Sequence, residues 1–540
     1  MAEIAAKARQ GDAESQYQLA EAYKTGSDGL SCSDEAAIDW YIKAGNQGHG
    51  EAQIRMGMYY KEGFSVPKDY VKAMEWWLKA ANQGYSHAQL NVGLIYYDGG
   101  EGICMNKNLA MEWYLKAANG GSIMARHLLA EDYGDGKGGY RQNYPIAKDL
   151  FLQAAQQGNS TAQYNIGLFY EEGHGVVKDS SKAAFWYSKA AFNGSAKSQS
   201  NLGILYIKGD DVEKNNALVM QWLVMAAKQG NTSAQFNLGC MYYRDEGVPE
   251  NRDKAMADES AMGWFLKAAE QGHAGAECEL GLLYEAGQGG VEKDDVAAVE
   301  WYRKAANHGH ADAQKNLAFM YAQGWGVEED LAEAARWYRK AAGQGHASAQ
   351  FRLGVLYTQG QGVPKDGFKA CEWFRKAASQ GHVDARFKLG SMYFDCQGGI
   401  HKNYSKAMNQ FQKAAAEGHR EAQFHIGIMH ANGLGVPQDD EKAVLWFYKA
   451  AEQCHAEAQS CLAVLFFKGR GVVQDHEEAL CWFLKAASQG HIPSMFNLGI
   501  IYSSKRFLDR SLAMNWYLKA ADGGYKGARE AYETLRAQPQ

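Results

Sequence analysis

The chain lacks the features that mark a secreted or membrane-spanning protein. Its 540 residues contain no apolar run of about eighteen residues, the length a membrane-spanning helix needs. The first ten residues, Met1 to Gln10, have no apolar core of signal-peptide length. We therefore expect a cytoplasmic protein with no signal peptide and no membrane insertion.

An excess of one charge is also missing. The 56 Lys and Arg residues are nearly balanced by 62 Asp and Glu residues, which leaves a net charge of −6. Nucleic acids and anionic membranes attract strongly basic surfaces. We therefore expect no nucleic acid among the main partners.

Cysteines are few, and their spacing does not follow a regular pattern. There are nine, an odd number, whereas a disulfide framework needs paired and recurrent positions. We interpret them as reduced thiols, in agreement with a cytoplasmic location.

What the chain does contain is one motif repeated from end to end. The pattern A-x-A-Q-x-x-L-G-x-x-Y, a Gly-rich turn and K-A-x-x-W-Y-x-K-A-A-x-x-G occurs in fourteen copies. We interpret Phe151 and Phe411 as filling two gaps in the tryptophan series. A unit of this size cannot bury its apolar face alone and must stack on its neighbours. The tryptophans of the series are Trp40, Trp76, Trp113, Trp186, Trp222, Trp264, Trp301, Trp337, Trp373, Trp446, Trp482 and Trp516.

One copy, Ala311–His346, shows how each unit is built. Apolar residues recur at helical spacing around Leu317 and predict a first helix. Gly324 and Gly326 then supply the dihedral angles of a tight turn. Asp330 is placed to accept backbone N–H bonds at the start of a second helix. The equivalent residues are Asp69, Asp179, Asp366, Asp439 and Asp475.

Small residues are paired with large ones along this pattern. A glycine such as Gly354 in the first helix lets another helix come close, while the tryptophan fills the space between repeats. The alternation predicts an all-α, right-handed superhelical α-solenoid. We expect a single domain over 1–540, with repeats over about 11–525 and terminal caps at 1–10 and 526–540.

These blocks resemble Sel-1-like repeats, which are relatives of the tetratricopeptide repeat. The resemblance covers essentially the whole chain. It implies the same α-solenoid and a role as an adaptor in protein complexes. The chain lacks the disulfide in each repeat that marks the secreted branch of the family.

Histidines recur in the turn between repeats, usually as Q-G-H. Copies one repeat apart are separated by roughly 18–20 Å, whereas the ligands of one zinc ion lie about 2 Å from it. We therefore assign these histidines to the turn and expect no metal and no cofactor. The eight are His49, His273, His310, His346, His382, His419, His455 and His491.

Three short motifs match catalytic or nucleotide-binding patterns by letter. The glycines of 134–139 follow a helix and not a strand, so they lack the βαβ context of a dinucleotide site. Ser65 and Lys68 spell S-x-x-K, but they align with the ordinary turn of other copies. Cys454 adjoins His455, although neighbours in sequence need not face each other. None of these argues for catalysis.

Position six of the first helix, one residue before the recurrent leucine, is left free by the packing rule. It holds Asn91, Asn165, Asn201, Asn237 and Asn316. In tetratricopeptide domains the similar position lines a concave groove, and an amide can donate to and accept from an extended peptide. An asparagine bonded to a neighbouring turn inside the solenoid is the equal alternative.

Positions where the copies differ are the stronger candidates for binding. Arg352 and Lys388 make position six basic in two adjacent repeats and could hold a carboxylate. Position twelve brings Tyr97, Tyr243 and Phe394 to the same side, as partner anchors or as packing against the next first helix. A polar insertion, Pro249 to Ser260, adds a longer surface segment.

Together these features predict a non-catalytic scaffold that binds protein or peptide partners along its concave face. The alternatives are a small-ligand or carbohydrate binder using the aromatic groove, and a hydrolase built on the solenoid. A deep aromatic pocket would favour the first, and a convergent Ser/Cys–His–Asp cluster the second. We expect a monomer, although no feature of the sequence specifies the oligomeric state.

Overall fold

The structure is a computed structural model that describes residues 1–27, 29–136, 141–209, 214–244 and 261–537. Over these ranges the chain forms thirty α-helices, one 3₁₀ turn at Gln397–Gly399 and no β-strand. The prediction of an all-α solenoid of fourteen repeats is confirmed. The predicted insertion, Pro249 to Ser260, lies outside the described residues.

Each repeat is a first helix followed by a second helix. The first helices are α2 (Ala13–Thr25), α4 (Gly50–Glu62), α6 (Ser86–Asp98), α8 (Ile123–Asp135), α10 (Ser160–Glu172), α12 (Ala196–Lys208), α14 (Thr232–Arg244), α16 (Ala274–Ala286), α18 (Ala311–Gln323), α20 (Ala347–Gln359), α22 (Val383–Asp395), α24 (Arg420–Asn432), α26 (Ala456–Lys468) and α28 (Ile492–Ser503). The second helices are α3 (Asp34–Asn46), α5 (Tyr70–Asn82), α7 (Lys107–Asn119), α9 (Tyr144–Gln156), α11 (Ser180–Phe192), α13 (Asn216–Lys228), α15 (Ala261–Glu270), α17 (Asp295–Asn307), α19 (Leu331–Gly343), α21 (Gly367–Ser379), α23 (Tyr404–Ala416), α25 (Asp440–Glu452), α27 (His476–Ser488) and α29 (Arg510–Asp522).

The helices fall into two compact units. The first, Met1–Gln271, contains α1 (Ala2–Arg9) and the seven repeats that end with α15. The second, Gly272–Gln540, contains the other seven repeats and α30 (Ala528–Ala537). Within each unit, every second helix packs on the first helix of its own repeat, and all but the last also pack on the next first helix.

The helix boundaries follow from the residues named in the motif. Gly324 and Gly326 have left-handed φ angles of 66° and 64°, which end the first helix and turn the chain. Asp330 Oδ1 then accepts the N–H groups of Ala332 and Glu333 at 2.9 Å, so the predicted cap is confirmed. The other five predicted aspartates cap their helices in the same way.

Close approach of the two helices in a repeat depends on a glycine facing a large side chain. A Cβ atom built on Gly354 would lie 2.7 Å from Cε1 of Phe374, and both residues are buried. The predicted role of the glycine is therefore confirmed. Equivalent pairs are Gly57–Trp77, Gly93–Tyr114, Gly167–Tyr187, Gly203–Leu223, Gly239–Phe265, Gly281–Tyr302, Gly390–Phe411, Gly427–Phe447 and Gly499–Tyr517.

The interpretation of Phe151 and Phe411 as tryptophan substitutes is wrong. Leu150 and Gln410 occupy the tryptophan position, and the two phenylalanines follow it, at the buried position that faces the glycine or alanine. The tryptophans have a different role. Trp113 packs among buried residues of α6 in its own repeat and of α5 in the preceding repeat, and so fills the space between repeats, as predicted.

A ladder of buried glutamines joins successive repeats. Gln350 Nε2 donates to the carbonyl of Ala342 at the end of the preceding second helix, at 3.0 Å. Gln350 Oε1 accepts from Nε2 of Gln380, which follows the second helix of its own repeat, at 2.8 Å. The same pair of bonds starts from Gln16, Gln53, Gln199, Gln235, Gln314, Gln423 and Gln459.

The ladder is not continuous, because Arg126, Glu277, Arg386 and Met495 replace the glutamine in four repeats, and at Gln89 one of the two bonds is missing. Gln89 donates to Ala81, but the residue after α7 is Gly120, which has no side chain. Among the described residues, Gln89 Oε1 is accordingly a buried acceptor with no partner. A buried polar atom without a hydrogen bond costs about 1–3 kcal/mol, so this repeat has a local weakness.

Candidate partner-binding face

The candidate site lies on the surface of the first helices, where neighbouring repeats leave small notches. We define a notch by three residues. The first is position twelve of one first helix, six residues after its position six. The others are the residue after the tryptophan position in the following second helix and position six of the next first helix. A cavity of about 220 Å³ occupies the notch between α26 and α28. Its lining residues are Val464, Phe467, Lys468, Phe483, Asn497, Ile500 and Ile501.

Two other cavities have the same register, which shows that the notch is a repeated feature. One of about 360 Å³ lies between α2 and α4 and includes Arg55 at position six. The other, of about 270 Å³, lies between α8 and α10 and includes Phe151 and Asn165. Two of these three volumes fall below the range of small-molecule sites, about 300–1,000 Å³, and the third lies near its lower end, so the notches suit single side chains.

Arg352 and Lys388 occupy equivalent places one repeat apart, on α20 and α22. Both side chains are exposed, and neither forms an ion pair with any residue that the structure describes. Position twelve of their notches is Ala322 and Thr358, and these small side chains leave the cations uncovered. The two residues therefore present free positive charge at one register.

Arg352 acts electrostatically on two neighbours. Burial raises the pKa of Tyr338 to about 12, and the charge of Arg352 opposes this shift. Burial also lowers the pKa of His382; Asp384 opposes that shift, whereas Arg352 adds to it. The guanidinium group is therefore close to the floor of its notch and to the start of α22.

The five predicted asparagines are all half-buried, but they divide into two groups. Asn201 donates to the Tyr187 hydroxyl at 3.2 Å, and Asn316 is bonded to the Tyr302 hydroxyl. The other three follow repeats with no tyrosine at that place: Trp77 precedes Asn91, Phe151 precedes Asn165, and Leu223 precedes Asn237. No side-chain hydrogen bond joins these three to another described residue.

A charged version of the notch occurs at Arg55. Its Nε lies 3.0 Å from Glu21, and Glu21 also accepts a hydrogen bond of 2.7 Å from the Tyr41 hydroxyl. Burial and the bond to Glu21 raise the pKa of Tyr41 well above its usual value, so this hydroxyl keeps its proton. The charge of Arg55 is satisfied within the protein, in contrast to Arg352.

The predicted aromatic residues have different environments. Phe394 contacts Phe411 and His425 with ring centroids 6.1 and 5.7 Å apart, so it packs against the next first helix. Tyr97 donates to Asp132 on the next first helix at 3.4 Å. Tyr243 is 47% exposed. Aromatic residues at position twelve thus help to build the notch walls.

The recurrent histidines have a role that was not predicted from the sequence. His346 Nδ1 accepts the N–H of Ala349 at 3.2 Å and caps α20, while its Nε2 lies 3.0 Å from Asp312. Both ring nitrogens of such a histidine are engaged in structure. Over the described residues, no group of three or more His, Cys, Asp or Glu side chains could hold a metal ion.

The other short motifs also belong to the turns. Ser65 and Cys454 have left-handed φ angles of 53° and 60°, which glycine adopts at the equivalent turn positions of other copies. Gly136 ends α8 with a φ of 67°, and Gly139 lies outside the described residues. His455, beside Cys454, accepts the N–H of Ala458 as a helix cap.

The stacked helix pairs and their notched face define a helical-repeat protein of the solenoid class. Comparison with known families then identifies the family: the chain belongs to the Sel1 repeat family, and the resemblance noted in its motifs is confirmed. Sel1 repeat solenoids are typically protein-interaction scaffolds and are generally non-catalytic. The matching segments are 13–49, 50–85, 86–122, 123–159, 160–195, 196–231, 232–273, 274–310, 311–346, 347–382, 383–419, 420–453, 456–491 and 492–525.

A solved structure of a similar protein agrees with this assignment. The chain is 35% identical to a protective antigen of uropathogenic Escherichia coli with an SLR fold, over 80% of this chain and 91% of that one, with a TM-score of 0.67. It is 34% identical to a Sel1 repeat protein from Oxalobacter formigenes, over 59% and 90% of the two chains, with a TM-score of 0.49. A comparison with curated proteins found no match. None of the described helices is long and apolar enough to cross a membrane.

Proposed function

We propose that this protein is a non-catalytic scaffold that binds an acidic segment of a protein partner along the first-helix face of its second unit. The observation that carries the proposal is the pair Arg352 and Lys388. They are exposed cations at one register in consecutive repeats, without ion pairs to described residues, on a chain whose net charge is −6. An Arg–carboxylate contact can be bidentate and specific.

The notch between α26 and α28 supports the same proposal by offering an apolar contact. Phe467, Phe483 and Ile500 line it, and Ile500 is 43% exposed. Lys468 and Asn497 form its polar edge. An acidic segment that also carries apolar side chains would place a carboxylate on Arg352 or Lys388 and an apolar group in this notch, since buried apolar anchors dominate interface energies.

The asparagines extend the proposal to the first unit. Asn91, Asn165 and Asn237 retain amide groups that could donate to and accept from a peptide backbone. Asn201 and Asn316 have a smaller part in it because their amides already bond to tyrosines. The small cavity volumes favour single side chains of a chain-like ligand over a carbohydrate or an enzyme substrate.

The test is fluorescence polarisation with a fluorescein-labelled peptide of alternating glutamate and leucine. We expect binding that weakens with added salt, because the contacts are between exposed charges. The double variant Arg352→Glu/Lys388→Glu should weaken binding by about tenfold or more, since each like-charge contact costs at least about 1 kcal/mol. Circular dichroism and the melting temperature should stay unchanged.

The matched control is Arg336→Glu/Lys413→Glu, which makes the same charge change on exposed residues of second helices. If this control weakens binding as much as the Arg352/Lys388 variant, only net charge is being measured and the proposed face is wrong. Equal binding of a lysine–leucine peptide would also contradict the proposal. If only the Phe467→Ala variant loses binding, the partner contacts the apolar notch and not the two cations.

A further inference from the structure

Every first helix of the second unit begins at a histidine that acts as its cap. In each case Nδ1 accepts the N–H of the residue three places later, at 3.1–3.3 Å. The ring takes the place of the serine, threonine, aspartate or asparagine that usually fills this role. The seven caps are His273, His310, His346, His382, His419, His455 and His491.

The first unit is built differently. Only α4 has a histidine cap, His49. Tyr85 precedes α6 without a side-chain cap bond, and the other first helices are capped by Asp12, Ser122, Asn159, Ser195 and Asn231. Twelve of the sixteen histidines of the chain lie in the second unit. The two units therefore differ in the chemistry of their first-helix caps.

A histidine cap works only while Nδ1 carries no proton. Protonation would direct an N–H group at the backbone N–H that it must accept, and the cap bond would be lost. It would also put a positive charge at the positive end of the helix dipole. Serine, asparagine and a carboxylate above pH 5 do not have this liability.

The charged groups around the caps modify this effect. His346, His419 and His455 have a carboxylate within 3.5 Å of Nε2, which accepts the Nε2 proton and so leaves Nδ1 free to accept the cap bond. His310, His382 and His491 form no ion pair within the described part of the chain. His273 faces Glu277 and His310, and His310 faces His273. His346 faces Asp312, His382 faces Asp384, Arg352 and His346, and His419 faces Asp384 and Glu421. His455 faces Glu421 and Glu457, and His491 faces Glu457 and His455.

Burial of these rings favours the neutral form, which is the form that the cap bond requires. It lowers the pKa of His273, His382, His419 and His491 below the usual value of about 6.5. A lowered pKa in the folded state means that the unfolded state binds protons more readily. The stabilisation is present above about pH 6.5 and is lost as the pH falls from there through the folded-state pKa.

We propose that the second unit, Gly272–Gln540, is an acid-sensitive element in which protonation of the cap histidines below about pH 6.5 releases the N-termini of the first helices. The first unit, apart from α4 with its His49 cap, keeps its caps over the same range. His382 and His491 form no ion pair with a described residue, so protonation of these rings strengthens no ion pair and the lost cap bond sets the response. Because α20 and α22 carry Arg352 and Lys388, acidification loosens the helices that display these cations.

Hydrogen exchange of the full chain, followed by mass spectrometry at about pH 7.5 and about pH 5.5, tests the proposal. After correction for intrinsic rates, exchange in the first turns of α22 and α28 should accelerate by about fivefold on acidification, the equivalent of one lost cap. Peptides from α8, α10 and α12 should change by less than about twofold. Equal acceleration in both units would overturn the proposal.

Single substitutions separate titration from general acid weakening. His382→Asn and His491→Asn keep a cap acceptor that does not titrate, so each should remove the acid response of its own helix only. Asn159→His in the first unit should create a response in α10. The proposal fails if both asparagine variants keep the acid acceleration, whatever the outcome in α10. These single changes at cap positions avoid the folding risk of replacing all seven histidines.

Discussion

The Phe374 ring occupies the space that a side chain at Gly354 would need. The closest ring atom lies 2.7 Å from the ideal Cβ position, well inside van der Waals contact. This relationship recurs in ten of the fourteen repeats, because a glycine faces a large side chain in each. In the others, Ala20, Ala130, Ala318 and Ala463 occupy the glycine position.

Replacing Gly354 with valine should destabilise the second unit by about 1–3 kcal/mol through overpacking. The ring of Phe374 is buried and has no free space into which to move. Thermal unfolding followed by circular dichroism would measure the change. Gly343→Ala is the control, since a Cβ at Gly343 meets nothing within 4 Å. An unshifted melt for Gly354→Val would contradict the packing assignment.

Gly120→Gln should stabilise the first unit by about 1 kcal/mol. The new amide would follow α7, where other repeats carry a ladder glutamine, and donate to the orphan Oε1 of Gln89. Gly120→Ala adds the same Cβ beside Ser86 without the amide, so the difference between the two variants isolates the hydrogen bond. Equal melting temperatures for the glutamine and alanine variants would exclude a ladder bond at this site.

Acid should release the caps of the second helices in a lower pH range than the caps of the first helices. Hydrogen bonds from the backbone N–H of Lys369 hold the pKa of Asp366 below its usual value of 3.8. This cap is therefore fully effective above about pH 4 and is lost as the pH falls through the lowered pKa. Asp366→Asn keeps the acceptor without the titration. Its melting temperature should fall less than that of the unmodified protein between about pH 4.5 and about pH 2.5.

Cys454→Gly should increase stability by about 0.5–1 kcal/mol. Cys454 has a φ of 60°, which costs a residue with a side chain about 1–2 kcal/mol, and the greater freedom of glycine in the unfolded chain offsets part of the gain. Gly490→Ala is the reciprocal test at the equivalent turn. Its φ is 87° with nothing within 4 Å of the Cβ, so only strain is introduced. A stabilised alanine variant would refute the strain argument.

The sequence predicted the helices well because their signals are local. Gly324, Gly326 and Asp330 lie within seven residues of one another and determine where one helix ends and the next begins. The glutamine ladder was not predicted because Gln350 and Gln380 meet across thirty residues. The histidine caps were not recognised because a ring nitrogen becomes an acceptor only in the observed backbone geometry.

The candidate site was predicted only in part because contacts between repeats modify it. Position six was identified correctly as a surface of the first helix, but its residues depend on the preceding second helix. Asn201 meets a tyrosine hydroxyl, whereas Asn165 follows Phe151 and finds none. Comparing each asparagine with the residue after the preceding tryptophan position would have revealed this difference from the sequence.

The glutamine ladder makes the repeats that carry both of its bonds interchangeable with one another in the chain. Each ladder glutamine accepts from its own repeat and donates to the one before, so the connection depends on no particular pair of repeats. If residues 311–346 were excised, Gln350 would meet the carbonyl of Ala306, which now receives Gln314. The solenoid can therefore lose or duplicate such a repeat without leaving a buried amide unmatched, and its length can vary by whole repeats of this kind.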